Sequence, residues 1–111
     1  MHRPPPIMST LVETAKVTLI TIVAGAELLD GLEARLKALK SSGYTVIRAD
    51  GEGVHGLRRR GLLGFGNVRI EALLRNEDAQ KLLGEMVRDY EGRGLTAFAQ
   101  SVEAIPREHF L

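Results

Sequence analysis

The chain is written as one unit repeated, and that repeat limits the folds open to it more than any other feature. Lys16–Ala24 (KVTLITIVA) is a β-branched run, followed by a stretch with helical periodicity and then by Tyr44–Ala49 (YTVIRA), a second β-rich run. Val68–Leu74, a helical stretch and Leu95–Glu103 repeat the pattern at an offset of about fifty residues, with Gly43-Tyr44-Thr45 answering to Gly94-Leu95-Thr96. Two tandem β-α-β units predict an α+β, ferredoxin-like βαββαβ sandwich, with a four-stranded antiparallel sheet and both helices on one face.

Each element has its own signal. Lys16–Ala24 is apolar on both faces, as a central strand covered on both sides would be. Gly25 breaks the run, and from Glu27 the residues Leu28, Leu29, Leu32, Leu36 and Leu39 recur at helical spacing, opposite Glu33, Arg35, Lys37 and Lys40. Ser41, Ser42 and Gly43 mark the helix end. In the third strand Val68, Ile70, Ala72 and Leu74 alternate with Arg69, Glu71 and Arg75, which leaves one wet face apart from Leu73. Asn76 reads as the N-cap of a second helix, with Glu77 and Asp78 in its first turn and a stripe of Ala79, Leu82, Leu83, Met86, Val87 and Tyr90 before Gly92. Residues 1–14, with Pro4, Pro5 and Pro6, form an extended lead-in, 15–106 the domain, and 107–111 a tail whose Phe110 and Leu111 are available to dock on a neighbour.

Composition removes several function classes. At 111 residues and 44% hydrophobic content the chain is one domain. A formal charge of +1 gives no global basic field for nucleic acid, and the third strand VRIEALL lacks the stacking aromatics of an RNA-recognition domain. Without cysteine there are no disulfides, thiolate metal sites or cysteine nucleophiles, which fits a cytoplasmic location. The apolar run Val17–Ala24 is too short to span a membrane, and MHRPPPIMST has no apolar core of a signal peptide. His2, His55 and His109 have no ligand spacing, Ser101 has no histidine partner in the pattern, and Glu71 and Glu103 form no arguable acid–base pair even if their strands are neighbours. No enzymatic activity is expected.

What remains is Gly51–Asn67, GEGVHGLRRRGLLGFGN, an irregular connection of seventeen residues between the second and third strands. A hairpin there needs only a few residues, so the excess calls for a use. The segment holds six of the twelve glycines, including Gly51, Gly53 and Gly56, beside Arg58, Arg59 and Arg60. Glycines let backbone amides approach a ligand and form anion nests, and arginine forks suit phosphate or carboxylate. Gly51–Gly56 also matches G-x-G-x-x-G, but no helix follows and Arg58–Arg60 continue a loop, so the dinucleotide reading fails on context. A solvated basic loop is the alternative to an anion site.

Taken together, KVTLITIVA, GYTVIRADGEGVHGLRRRG leading into a long loop, NVRIEALL and LTAFAQSVEAI resemble a PII-like signalling protein, over about residues 16–106. Such proteins are homotrimers that bind adenine nucleotides between subunits and signal to a partner through the long loop, the T-loop. The resemblance implies backbone contacts from Gly51 and Gly53, a phosphate or second anion near His55 and Arg58–Arg60, and Asn67 at the loop base. Phe98 falls where the bicarbonate-transport and carboxysome branch tends to be aromatic, as a core or interface residue.

The departures from the family point the same way. Gly51–Asn67 has no Tyr, Ser or Thr for covalent modification and no glutamine for 2-oxoglutarate and magnesium, and Glu91-Gly92-Arg93-Gly94 is shorter than the nitrogen-regulatory phosphate loop. The resemblance therefore favours the carbon-related branch. It implies ADP, AMP or ATP as the nucleotide, bicarbonate as a candidate second ligand, and a transporter or carboxysome-associated enzyme as target. The alternatives are a structural or metal-tolerance trimer of the CutA kind and a small enzyme acting on an anionic metabolite.

Overall fold

The structure, a computed structural model, describes residues 11–39, 43–49, 51–53, 56–58 and 66–110. Strands β1 (Ala15–Gly25), β2 (Tyr44–Ala49), β5 (Asn67–Leu74) and β6 (Thr96–Ala104) form one antiparallel sheet in the order β2-β5-β1-β6. Two further short strands, β3 (Gly51–Gly53) and β4 (Gly56–Arg58), make a separate two-stranded ribbon. The helices are α1 (Leu29–Ala38) and α2 (Asn76–Asp89). This is the ferredoxin-like α+β arrangement that the repeat predicts, with β1 and β5, the first strand of each unit, side by side at the centre.

Alternation along the strands divides the sheet into two faces. Ile20, Ile22 and Ala24 of β1 and Val68, Ile70, Ala72 and Leu74 of β5 join Leu29, Leu32 and Leu36 of α1 and Ala79, Leu82 and Met86 of α2 in one buried core. Both α-helices therefore pack on the same face. The opposite face carries Leu19, Thr21 and Val23 of β1, opposed by Leu73, Glu71 and Arg69 of β5 and by Gln100, Phe98 and Thr96 of β6. β1 lies inside the sheet, as a central strand should, but on this face it is less fully covered than on the helix side. Leu19 and Val23 are only half-buried there, and Ile47 and Phe98 are each 44% exposed.

Several element boundaries also differ from expectation. Ala26–Leu28 form a 3-10 turn, so α1 begins at Leu29 rather than Glu27. Arg75, in extended conformation, takes the N-cap position of α2, and Asn76 is the first helical residue. The Asn76 side chain accepts a 3.3 Å hydrogen bond from the Thr18 hydroxyl and so ties helix to sheet instead of capping its own backbone. Val87 leaves the apolar stripe and is 76% exposed, because Ala79, Leu82 and Met86, with Leu83 partly buried beside them and Tyr90 after the helix, take the side that meets the core. Residues 40–42, read as the end of the first helix, lie outside the described residues. At the C-terminal side Arg107–Phe110 form a 3-10 turn, with Phe110 partly buried.

Candidate functional site

The long connection starts and ends on one rung of the sheet. Ala49, the last residue of β2, pairs with Asn67, the first of β5, and Asn67 pairs on its other side with Gly25. Just before it, the buried Gly66 accepts a 2.7 Å hydrogen bond from the Ala26 backbone N–H. Asn67 thus stands at the loop base, held between β1 and β2.

The connection is not irregular throughout. Gly51 pairs with Arg58, Glu52 with Leu57 and Gly53 with Gly56. The first half of the segment is therefore an antiparallel ribbon, and Arg58 belongs to a strand rather than continuing a loop. Glycine at Gly53 and Gly56, the last pair of the ribbon, suits a close approach of the two backbones. Of the candidate ligands, Gly51, Gly53, Gly56 and Arg58 lie on this ribbon, while His55, Arg59 and Arg60 lie outside the described residues.

Phe98 lies elsewhere. It is on β6 and pairs with Thr21, two strands across and four residues along from Asn67. Strand geometry makes that separation on the order of 15 Å. The loop base continues from the β2 edge and Phe98 stands on the β6 edge, at opposite sides of the same sheet. One chain does not bring the sequence-identified residues together.

The carboxylates considered for acid–base chemistry are also apart. Glu71 and Glu103 sit on β5 and β6, which are not neighbours because β1 lies between them. Arg69 donates to Glu71 at 3.1 Å and the Thr14 hydroxyl to Glu103 at 2.6 Å, so each carboxylate is engaged locally. Ser101 lines a cavity of about 430 Å³ with Lys16, Thr18, Asn76 and Glu103. Among the described residues no group of three or more His, Cys, Asp and Glu could hold a metal ion. No described helix is long and apolar enough to cross a membrane.

The sequence reading missed a charged cluster between the helices. Arg35 Nη1 is 2.8 Å from both Glu85 Oε1 and Asp89 Oδ2, and Arg88 grips Asp89 with two hydrogen bonds of 2.8 and 2.9 Å. The Tyr90 ring lies beneath two guanidinium groups, Arg35 at 5.1 Å and Arg93 at 5.7 Å from its centroid. Hydrogen bonds from Arg88 and then Arg35 hold the Asp89 carboxyl well below the usual carboxylate range. Burial opposes the Arg35 charge, but its hydrogen bonds to Asp89 and Glu85 outweigh that and raise its pKa. Nearby, the Tyr44 hydroxyl donates to Glu33 Oε2 at 2.5 Å, and that bond raises the tyrosine pKa. Helical spacing in the sequence shows that Glu85, Arg88 and Asp89 share a side of α2, yet nothing local to α2 points to Arg35, fifty positions earlier.

Comparison with known proteins places this geometry. The family profile for nitrogen regulatory protein P-II matches residues 17–109. A PII-like signaling protein from Thermus thermophilus has 27% identity and a TM-score of 0.74, over 90% of this chain and all of its own. CPII from Thiomonas intermedia, in a structure bound to ADP and bicarbonate, superposes with a TM-score of 0.80 at 18% identity, over 91% of this chain and all of its own. A second CPII structure, bound to ADP, AMP and bicarbonate, gives a TM-score of 0.77 at 17% identity, over 85% of this chain and 92% of its own. No curated protein sequence matches the chain.

Proposed function

The chain belongs to the nitrogen regulatory protein P-II family, and from that premise we propose that it is a non-enzymatic, homotrimeric regulator of the carbon-related kind. It binds an adenine nucleotide, ADP, AMP or ATP, in clefts between subunits, with bicarbonate as second ligand. The Gly51–Asn67 segment reports occupancy to a target protein, a transporter or a carboxysome-associated enzyme, in the cytoplasm.

The observation that carries this reading is the placement of the loop base and Phe98 on opposite edges of one sheet. Residues that cannot meet within a chain meet readily when the β2 side of one subunit faces the β6 side of the next. A cleft of that kind would set the glycine ribbon and Arg58–Arg60 against the nucleotide phosphates, with Phe98 in the contact between subunits. The ligands in the CPII structures support the choice of adenine nucleotide and bicarbonate. Signalling then needs the ligand to favour one arrangement of the loop over another, since equal affinity for both would shift nothing.

Titration calorimetry with ATP, ADP and AMP, each with and without bicarbonate, on a sample of known oligomeric state tests the proposal. Saturable binding of one nucleotide per subunit, strengthened by bicarbonate, is the expected result. A trimer that binds none of them at millimolar concentration would sink the sensor reading and leave the structural, CutA-like one. Turnover of a bound nucleotide would instead make the protein an enzyme.

A further inference from the structure

The end of the sheet farthest from the loop base holds a second group of polar side chains. Lys16 and Thr18 of β1 pair with Glu103 and Ser101 of β6, toward the Ala15 end of a strand whose Gly25 end meets Asn67. Lys16 stands nine residues from Gly25 along β1, a separation on the order of 30 Å. Alternation puts Lys16 and Thr18 on the helix side with Ile20, and the 3.3 Å hydrogen bond from the Thr18 hydroxyl to Asn76 at the start of α2 agrees. These residues line a cleft of about 430 Å³, and clefts that hold small molecules run from about 300 to 1,000 Å³.

The cleft carries both signs of charge, and neither is neutralised by the other. Lys16 and Glu103 stand directly opposite in the register, with Cβ atoms on the order of 5 Å apart, where opposite charges commonly pair across strands. Glu103 Oε1 instead accepts a 2.6 Å hydrogen bond from the Thr14 hydroxyl, and among the described residues Lys16 has neither an ion pair nor a hydrogen bond. The exposed Ser101 hydroxyl also has no partner among the described residues. Because Thr18 holds the Asn76 side-chain oxygen, the Asn76 amide nitrogen is left with its two N–H donors.

We infer that this cleft binds a free α-amino acid as its zwitterion, with Lys16, Ser101 and the Asn76 amide around the carboxylate and Glu103 Oε2 on the ammonium. A simple anion would gain Lys16 but face the Glu103 carboxylate, and a simple cation would meet the converse. A ligand with both charges on one carbon satisfies both walls. Exposed charges alone hold a ligand weakly, since water solvates them. Thr18, 5% exposed and bonded to Asn76, adds a fixed hydrogen-bonding floor between them. Such a site gives the regulator a second input away from the loop base, and it does not depend on which nucleotide the chain binds.

Titration calorimetry and thermal shift with individual free amino acids at millimolar concentration provide the test, with propionate and propylamine as controls carrying one charge each. Saturable binding of at least one amino acid, matched by neither control, is the expected result. Lys16→Gln and Glu103→Gln should each weaken it at least tenfold, and Lys16→Arg, which keeps the charge, should bind within a few-fold of wild type. Both positions are exposed, so the variants should melt within a few degrees of wild type and leave parallel titrations of ATP, ADP and AMP unchanged. The inference is overturned if no amino acid binds, if binding ignores both substitutions, or if propionate binds as tightly as the amino acid, which would make the cleft a plain anion site. Amino-acid binding without nucleotide binding would sustain this inference and sink the nucleotide reading, and the opposite pair of results would do the reverse.

Discussion

Arg35 on α1 and Asp89 on α2 meet at 2.8 Å, and this ion pair ties the two helices across the solvent side of the core. Because the Asp89 pKa is depressed in the folded state, its contribution is complete above the ordinary value of 3.8 and is lost as pH falls below it. Asp89→Asn should therefore lower Tm at neutral pH, and the gap from wild type should narrow as pH is taken from about 5 to about 2. Paired melts at the two ends of that window check the sign. The side chain is partly exposed, so added salt should shrink the effect.

Two glycines should respond in opposite directions to alanine. Gly92 sits at φ +73° in the turn after α2 with nothing within 4 Å of a built Cβ, so strain alone acts there, and Gly92→Ala should cost about 1 kcal/mol. Gly84 lies within α2, also in open space, and Gly84→Ala should stabilise by about 0.5–1 kcal/mol through helix propensity. Urea unfolding of the two variants gives the comparison.

Leu36 is fully buried at the centre of the contact between α1 and the sheet. Truncation leaves a cavity as well as losing apolar burial, so Leu36→Ala should cost about 2–5 kcal/mol in chemical denaturation. Truncating Val87, 76% exposed, should change stability by less than about 0.5 kcal/mol.

The fold was legible because it depends on patterns a few residues long. Period-two alternation in Val68–Leu74 and helical spacing in Leu29–Leu36 each name a face, and two copies of β-α-β leave few ways to pair those faces. The misreadings came where a residue's role is decided by something distant in sequence. Asn76 has the chemistry of a cap, but Thr18, fifty-eight positions earlier, engages its side chain. Val87 satisfies the helical period and still points away from the sheet. The ribbon escaped notice because glycine-rich letters carry no strand propensity, and its pairing rests on backbone hydrogen bonds rather than on side chains. The candidate site was legible as a list of residues and not as a place, since its members occupy opposite edges of one sheet.

Replacing Arg58, Arg59 and Arg60 together by alanine separates a ligand loop from a structural brace. If the loop serves a ligand, Tm of the unliganded protein should stay within a few degrees of wild type while nucleotide affinity falls at least tenfold, as befits the loss of charge-assisted hydrogen bonds to phosphate. A large drop in Tm with binding retained would point to the brace.

Phe98 is 44% exposed in the isolated chain, so Phe98→Ala should disturb the monomer little. If the face around it is buried between subunits, the same change should weaken assembly at least tenfold, as anchoring aromatics at interfaces do. Light scattering during dilution reads that loss directly.

The rung formed by Ala49 and Asn67, with the Ala26–Gly66 hydrogen bond beside it, makes the length of the intervening segment almost independent of the rest of the protein. Closing a flexible loop across a fixed gap costs only about 0.6 kcal/mol more for each doubling of its length. The stretch before Gly66 can therefore be extended, shortened or replaced without altering how the sheet folds. A lineage could change what its protein addresses by rewriting that stretch alone, and an engineer could graft a foreign recognition sequence between Ala49 and Gly66.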